Sequence, residues 1–264
     1  MNEFPTMGLG TWQLSVEQCR RSVLKALEIG YRHVDTAQFY KNEAGVGAAL
    51  AESGVPREEV WVATKVWVTR LSPKRAKRSV DDSLRRLKTD HVDLLYVHWP
   101  ALLYKARKTL TAFAEMVDEG KVRHVCVSNF TPSLVDEAID ACPKPIFANQ
   151  VEHHPFLRQE ELRRHLSEKG IHLVAYSPLA RGKVTRSEEV LQVARKHGVT
   201  PARVTLAWHL AHGSRPIPKA TSEEHLRDNW EAQNLELDGE DLTLIDSIDE
   251  VVRIFNPPVL RPKW

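Results

Sequence analysis

Short runs rich in β-branched residues alternate with amphipathic stretches along almost the whole chain, and this alternation constrains the fold more than any other feature. Residues 60–66 (VWVATKV) read as a strand. Residues 72–88 read as a helix, with Ser72 at the N-cap and Pro73 in the first position, and residues 91–98 (HVDLLYVH) as a strand again. Further strands are expected at 122–127, 146–151, 172–176 and 215–219. Helices are expected from Thr131 and Pro132, around 160–169, at 187–197, at 201–212 and from Ser222. At the front, residues 7–10 and 32–35 supply two strands, separated by a helix near 15–27 that Gly30 closes. About eight strand–helix units result, and strands that alternate with helices imply a parallel sheet.

Two architectures accommodate such a chain: an open, doubly wound sheet and a (β/α)8 TIM barrel. The open nucleotide-binding sheet carries three spaced glycines between its first strand and helix. Gly8-Leu9-Gly10 lacks the third, and Gly45-Val46-Gly47 falls inside a helical stretch, where small residues read as close helix packing. The count of units and the length of 264 residues favour the barrel. No linker, low-complexity segment or strong repeat divides the chain, so residues 1–264 are expected to form one domain.

Composition narrows the function classes. A formal net charge of +2 gives no basis for nucleic-acid or membrane binding. No apolar run approaches a bilayer span, and residues 1–10 do not read as a signal peptide, so a cytoplasmic location is expected. Cys19, Cys126 and Cys142 are odd in number and dispersed, which fits a reducing compartment and buried, unpaired thiols rather than a disulfide framework or a zinc site. His153 and His154 are adjacent on a strand and point to opposite faces, so they cannot share one ion. No metal is expected, and a metal-dependent hydrolase is disfavoured.

In a barrel, function gathers at the carboxyl ends of the strands. Asp35 ends the second strand, Lys65 lies late in the third and His98 ends the fourth. Ser128 and Asn129 follow the fifth, Gln150 ends the sixth, Tyr176 and Ser177 the seventh, and Lys219 the eighth. Singly, each is as compatible with an internal ion pair or a structural role; their concurrence is the argument. A lysine among apolar strand residues must be paired or neutral, and Asp35 is its natural partner. Tyr40, in the loop just after Asp35, brings a phenol near that ammonium, which should lower its pKa from about 10. With His98 hydrogen-bonding the phenol and a substrate oxygen, the set forms a general acid aimed at a carbonyl becoming an alkoxide. The hydride must come from a cofactor, because no side chain supplies one.

These segments resemble the aldo-keto reductases: Gly8-Leu-Gly10-Thr11-Trp12, Asp35-Thr-Ala-Gln-Phe-Tyr40, Thr64-Lys65-Val-Trp67 and His98-Trp99-Pro100, then Val127-Ser128-Asn129-Phe130, Asn149-Gln150-Val-Glu152, Ala175-Tyr176-Ser177-Pro178-Leu179 and Ile217-Pro218-Lys219. The motifs run in order from Met7 to about Asn234. The segment Ala51-Glu-Ser-Gly-Val-Pro56-Arg is most similar to the bacterial 2,5-diketo-D-gluconate reductase B type, a subgroup associated with methylglyoxal and β-keto ester reduction. The resemblance implies an NADPH-dependent reductase of small aldehydes, 2-oxoaldehydes or keto acids. Tyr40 would be the proton donor, Lys65 and Asp35 its assistants, and His98 the group that orients the carbonyl. Ser128, Asn129 and Gln150 would hold the nicotinamide carboxamide, Tyr176 would stack on its ring, and Thr11 and Asp35 would lie near its ribose. Ser177 and Leu179 would line the pyrophosphate path, Lys219 and Ser222 would meet the 2′-phosphate, and Asn229 the adenine.

Some residues depart from the family pattern. His225 stands where NADPH-preferring relatives carry Arg, and imidazole lacks that residue's permanent bidentate fork. NADH use is therefore open. Either protonated His225 aids 2′-phosphate binding, or it is solvent-exposed and Lys219 carries the contact. Arg181 replaces a small polar residue and is either a pyrophosphate contact or a solvated loop cation. The N-terminal hairpin usual in the family is nearly absent and the loop at 100–108 is short, so an open, shallow site is expected, lined by Trp12, Trp67 and Trp99. The Pro-rich tail, 253–264, either folds over the cleft or covers the barrel side. A small-molecule carbonyl is the expected partner of a monomer. The rival reading is a nucleotide-binding scaffold on the same fold with little turnover.

Overall fold

A computed structural model describes residues 3–263, so Met1, Asn2 and Trp264 lie outside the description. Eight parallel strands form one curled sheet in chain order: β1 (Leu9–Gly10), β2 (His33–Asp35), β3 (Trp61–Val66), β4 (Val92–Val97), β5 (Val122–Ser128), β6 (Ile146–Glu152), β7 (His172–Tyr176) and β8 (Arg215–Pro216). The parallel sheet expected from the alternation is present. Its first and last segments also meet, because Gly8 and Gly10 donate backbone N–H groups to the carbonyls of Pro216 and Pro218, each at 3.0 Å. β8 is shorter than the run 215–219 predicts because Pro216 and Pro218 have no N–H to give the ladder. Gly10 is required at this seam: a Cβ there would lie 2.6 Å from the Ile217 carbonyl oxygen.

The helices pack around the outside of the sheet. Helix α1 (Val16–Ile29) starts at a capping box in which Ser15 and Gln18 bond reciprocally, and it buries Cys19, Val23, Ala26 and Leu27, one face of a 3.6-residue period. Helix α2 (Glu43–Glu52) lies against α1 and α3 (Pro73–Leu87). A Cβ at Gly45 would sit 2.3 Å from the Val16 oxygen, and one at Gly47 2.5 Å from the Arg86 oxygen, so the glycines of 45–47 serve close helix packing. Helix α4 (Ala106–Asp118) begins inside the stretch read as a loop at 100–108. Helices α5 (Pro132–Ala141) and α6 (Glu160–Glu168) follow β5 and β6. Two helices, α7 (Glu188–His197) and α8 (Pro201–Ala211), separate β7 from β8. After β8 come α9 (Glu223–Trp230) and α10 (Gly239–Asp246), the latter opened by an Asp238–Asp241 capping box.

Inside the curled sheet, Ala63, Leu94, Tyr96, Cys126, Ala148, Val174 and Ile217 form a buried core beneath the carboxyl ends of the strands. Burial pushes the Cys19 thiol up to about 12 and raises that of Cys126 as well, so both behave as apolar fillers. Among the described residues no helix is long and apolar enough to cross a membrane, and no three His, Cys, Asp or Glu side chains are grouped to hold a metal ion.

Candidate active site

β2 and β3 deliver a buried ion pair to the floor of a cleft. Lys65 Nζ donates to Asp35 Oδ1 at 2.5 Å and to the Thr36 carbonyl at 2.8 Å, and it lies 3.4 Å from the Tyr40 hydroxyl. Gln150 Nε2 donates to the other Asp35 oxygen at 2.7 Å. The two charged side chains are only 1% and 2% exposed, so each is tolerable only because the other is present. Burial raises the Asp35 carboxyl and lowers the Lys65 ammonium from their ordinary values, and each partner opposes the other's shift. Tyr40 closes a single 3-10 turn, Gln38–Tyr40, after which Lys41 at φ 57° turns the chain towards α2.

The expectation that Lys65 lowers the Tyr40 pKa is corrected here. Burial, then the charge of Asp35, then Tyr176, raise the phenol well above its ordinary value. Burial is the larger cause, and Asp35, held 2.5 Å from the ammonium, opposes the field of Lys65 at the phenol. Tyr40 is therefore held protonated, as a donor. His98 is driven well below the usual histidine range by burial and by the Lys65 charge, so its ring is neutral, 5.8 Å from the Tyr40 ring between centroids.

A second polar group lies beside the first. Ser128 Oγ donates to the Gln150 carbonyl at 2.8 Å. Asn129 Nδ2 donates to the His98 carbonyl at 3.0 Å, and the Tyr176 hydroxyl donates to Asn129 Oδ1 at 2.8 Å. Asn129 has φ 65°, a left-handed conformation that asparagine tolerates better than most residues. Thr11 Oγ1 donates to the Asp35 carbonyl at 2.9 Å and ties β1 to this floor.

The cleft above these groups has a volume of about 580 Å³, within the range of small-molecule sites. Its walls bring together Thr11, Asp35, Tyr40, His98, Ser128, Asn129 and Gln150 with Tyr176, Ser177, Leu179, Arg181 and Lys219. Trp12, Trp67 and Trp99 also face it, whereas Lys65 lies beneath. Ser222, His225 and Asn229 are not in its wall. Ser222 caps α9 by accepting the His225 N–H at 3.2 Å, His225 is exposed on the first turn, and Asn229 is buried on the same helix.

One feature of the cleft lay outside the sequence reading, and another decides between the two courses open to the tail in favour of the cleft. Phe39 stacks between Trp12 and Trp67, with centroids at 5.8 and 4.1 Å, and completes an aromatic wall. Its position beside Tyr40 in the Gln-Phe-Tyr turn was the only available signal. The open, shallow site expected from short loops is also corrected on one side, because Phe255, Pro257 and Leu260 of the tail form a wall there. Arg181, left-handed at φ 52°, places its guanidinium 4.7 Å over the Phe255 ring.

Comparison with known proteins gives concordant results. A family model described as the aldo/keto reductase family matches residues 6–250. The chain is 42% identical over 263 residues to methylglyoxal reductase DkgB of Escherichia coli O157:H7, covering 98% of both proteins. It is 39% identical over 254 residues to glyoxal reductase of Bacillus subtilis, covering 96% of this chain and 91% of that protein. A crystal structure provisionally described as a 2,5-diketo-D-gluconic acid reductase B superposes with a TM-score of 0.95 at 38% identity, over 98% of this chain and 93% of the other.

Proposed function

The chain belongs to the aldo/keto reductase family, and from that premise we propose that it reduces small aldehydes, 2-oxoaldehydes or keto acids to alcohols with NADPH as the hydride source. The bonds from Gly8 and Gly10 to Pro216 and Pro218 support reading the curled sheet as a closed (β/α)8 TIM barrel of one domain. The three unpaired cysteines fit a reducing, cytoplasmic setting, and the reading takes the chain as a monomer.

The chemistry of the donor set fits a nicotinamide dinucleotide. Side-chain amides and a hydroxyl at Ser128, Asn129 and Gln150 suit a carboxamide, and the Tyr176 ring suits a flat heterocycle. Thr11 and Asp35 stand beside that end of the cleft, where a ribose would lie. Ser177, Leu179 and Arg181 line the middle of the cleft, where a pyrophosphate would run. Lys219, followed by Ser222 and His225 at the N-terminus of α9, suits a phosphate, with Asn229 farther along the helix for adenine. When bound, NADPH supplies the hydride.

The chain's own residues do the rest. Tyr40 holds a proton at Oη and gives it to the carbonyl oxygen as negative charge develops there. Lys65 stabilises the phenolate that results, and Asp35 keeps Lys65 charged and fixed. Neutral His98 orients the carbonyl, and Trp12, Trp67 and Trp99 keep water from it. The observation that carries this reading is the Lys65 ammonium held between Asp35 and Tyr40 at the floor of the cleft.

The test is to mix the purified protein with NADPH and methylglyoxal and follow the nicotinamide absorbance. Oxidation of NADPH supports the reading. Tight NADPH binding with no turnover over a panel of aldehydes and keto acids would replace it with the nucleotide-binding scaffold. His225 supplies a finer test. If its side chain aids the 2′-phosphate, His225→Ala raises KM for NADPH while KM for NADH does not change. An unchanged KM for NADPH overturns that role and leaves the phosphate to Lys219.

A further inference from the structure

Glu152, the last residue of β6, has no part in the chemistry above, yet its side chain is fully buried. Its oxygens are engaged by the C-terminal segment: Oε1 accepts the Ile254 N–H at 2.6 Å and Oε2 accepts the Phe255 N–H at 2.7 Å. His154 Nε2 lies 3.1 Å from Oε1. Burial pushes the carboxyl up, but His154 and the two backbone donors outweigh it and hold the group below the usual carboxylate range. A buried carboxylate that accepts two successive amides from a distant segment is a strong, directional clip. The approach to that segment is fastened too, since Val252 N–H donates to the Phe156 carbonyl at 2.9 Å and Arg158 donates to the carbonyls of Asp246 and Ile248.

The clip determines where Phe255 stands. Its ring meets Tyr176 edge to face, with centroids 5.6 Å apart, and lies under the Arg181 guanidinium. Through this side chain the tail touches both the end of β7 and the loop that follows it, at the wall of the cleft. Glu152 and Tyr176 are register partners on adjacent strands, so the clip and the ring it controls share one rigid base.

We propose that Glu152 is a positioning residue for a strap formed by residues 252–260, holding Phe255 against Tyr176 and Arg181 so that the lip closes over a bound dinucleotide. The proposal rests on the reading of this cleft as a cofactor site. Glu152 touches no reacting atom and acts only through the strap.

The experiment compares wild type, Glu152→Ala, Glu152→Gln and Phe255→Ala in two readouts. The first is the rate of tryptic cleavage after Arg253 in the cofactor-free protein, scored by loss of the C-terminal fragment. The second is the rate of NADPH release, followed by tryptophan fluorescence. Losing both charge-assisted bonds should speed cleavage about ten-fold or more in Glu152→Ala, with a smaller rise in Glu152→Gln, whose amide oxygen still accepts one bond. NADPH release should accelerate in step. Phe255→Ala should speed release while cleavage stays near the wild-type rate. If Glu152→Ala does not fold, Glu152→Gln and Phe255→Ala carry the test. Unchanged cleavage in the Glu152 variants, or unchanged release despite faster cleavage, overturns the proposal. Failure of the wild type to bind NADPH would instead overturn the cofactor reading, and the cleavage rates would still judge the clip.

Discussion

At the amino ends of the strands, Phe4, His33, Trp61, His124, Phe147 and His172 stack into a plug; at the carboxyl ends, Asp35, Lys65, Tyr40 and His98 meet in a cleft. Both mouths gather aromatic and titratable side chains from successive strands. In the plug the imidazoles serve as flat rings. His124 stacks on Phe147 at 4.1 Å and on Trp61 at 5.5 Å with nearly parallel planes, and neither ring nitrogen of His33 has a hydrogen-bond partner among the described residues. Burial, then the charges of Lys65 and Arg215, push His33 down to about 3, and burial with Arg215 pushes His172 down to about 4. In the cleft, both oxygens of Asp35 and the ammonium of Lys65 are spoken for by named partners. The character of a titratable residue near a strand end thus depends on what is placed against it: flat rings around the imidazoles of the plug, an ion-pair partner for Asp35 and Lys65 in the cleft.

The largest expected break in this contrast is Lys65→Met. It leaves the Asp35 carboxylate buried without its cation and should cost about 3–5 kcal/mol in urea unfolding, with loss of turnover. A cost below about 1 kcal/mol would mean that Asp35 protonates freely and the pair is not essential. At the other mouth, Phe4→Ala removes the ring that touches His33, Trp61, Phe147 and His172, and should cost about 3 kcal/mol with kcat nearly unchanged. A parallel fall in kcat would show that the two mouths are coupled.

The plug also predicts acid sensitivity. The folded pKa values of His33 and His172 lie below the unfolded value of about 6.5, so between them the unfolded chain binds more protons and stability falls as pH falls. Each group should forfeit about 2 kcal/mol by about pH 5, fully present above pH 6.5 and increasingly lost towards their folded values. Urea midpoints from pH 7 to pH 5 should therefore drop more steeply in wild type than in His33→Phe; equal slopes would remove His33 from the account. The smallest effect belongs to the far end of the cleft. His225→Arg should lower KM for NADPH a few-fold, about 1 kcal/mol, with little change for NADH, and an equal change for both would place residue 225 away from the 2′-phosphate.

The same contrast explains what was legible in the sequence. The strand–helix alternation and the polar residue at each carboxyl end were readable because period and position are local properties. Lys65 with Asp35 was also readable, because a buried lysine demands a partner. The Tyr40 pKa was not: its direction follows first from burial and then from the Asp35 charge beside it, and only the fold determines either. Phe39 and Phe255 were missed for a related reason. An aromatic residue in a turn or a tail carries no signal of which wall it will join, and Phe255 lies about a hundred residues from the Glu152 carboxylate that places it. The histidines of the plug have no motif that separates a stacked ring from a titrating one.

The central claim is that Tyr40 stands protonated over Lys65 and delivers that proton to a carbonyl. Tyr40→Phe tests it directly, through NADPH oxidation with methylglyoxal measured beside NADPH affinity for the same protein. The account predicts a fall in kcat of about 10²–10⁴-fold, the usual worth of a positioned general acid, with NADPH affinity retained. Turnover within a few-fold of wild type would contradict it and move the proton donor to His98 or to water.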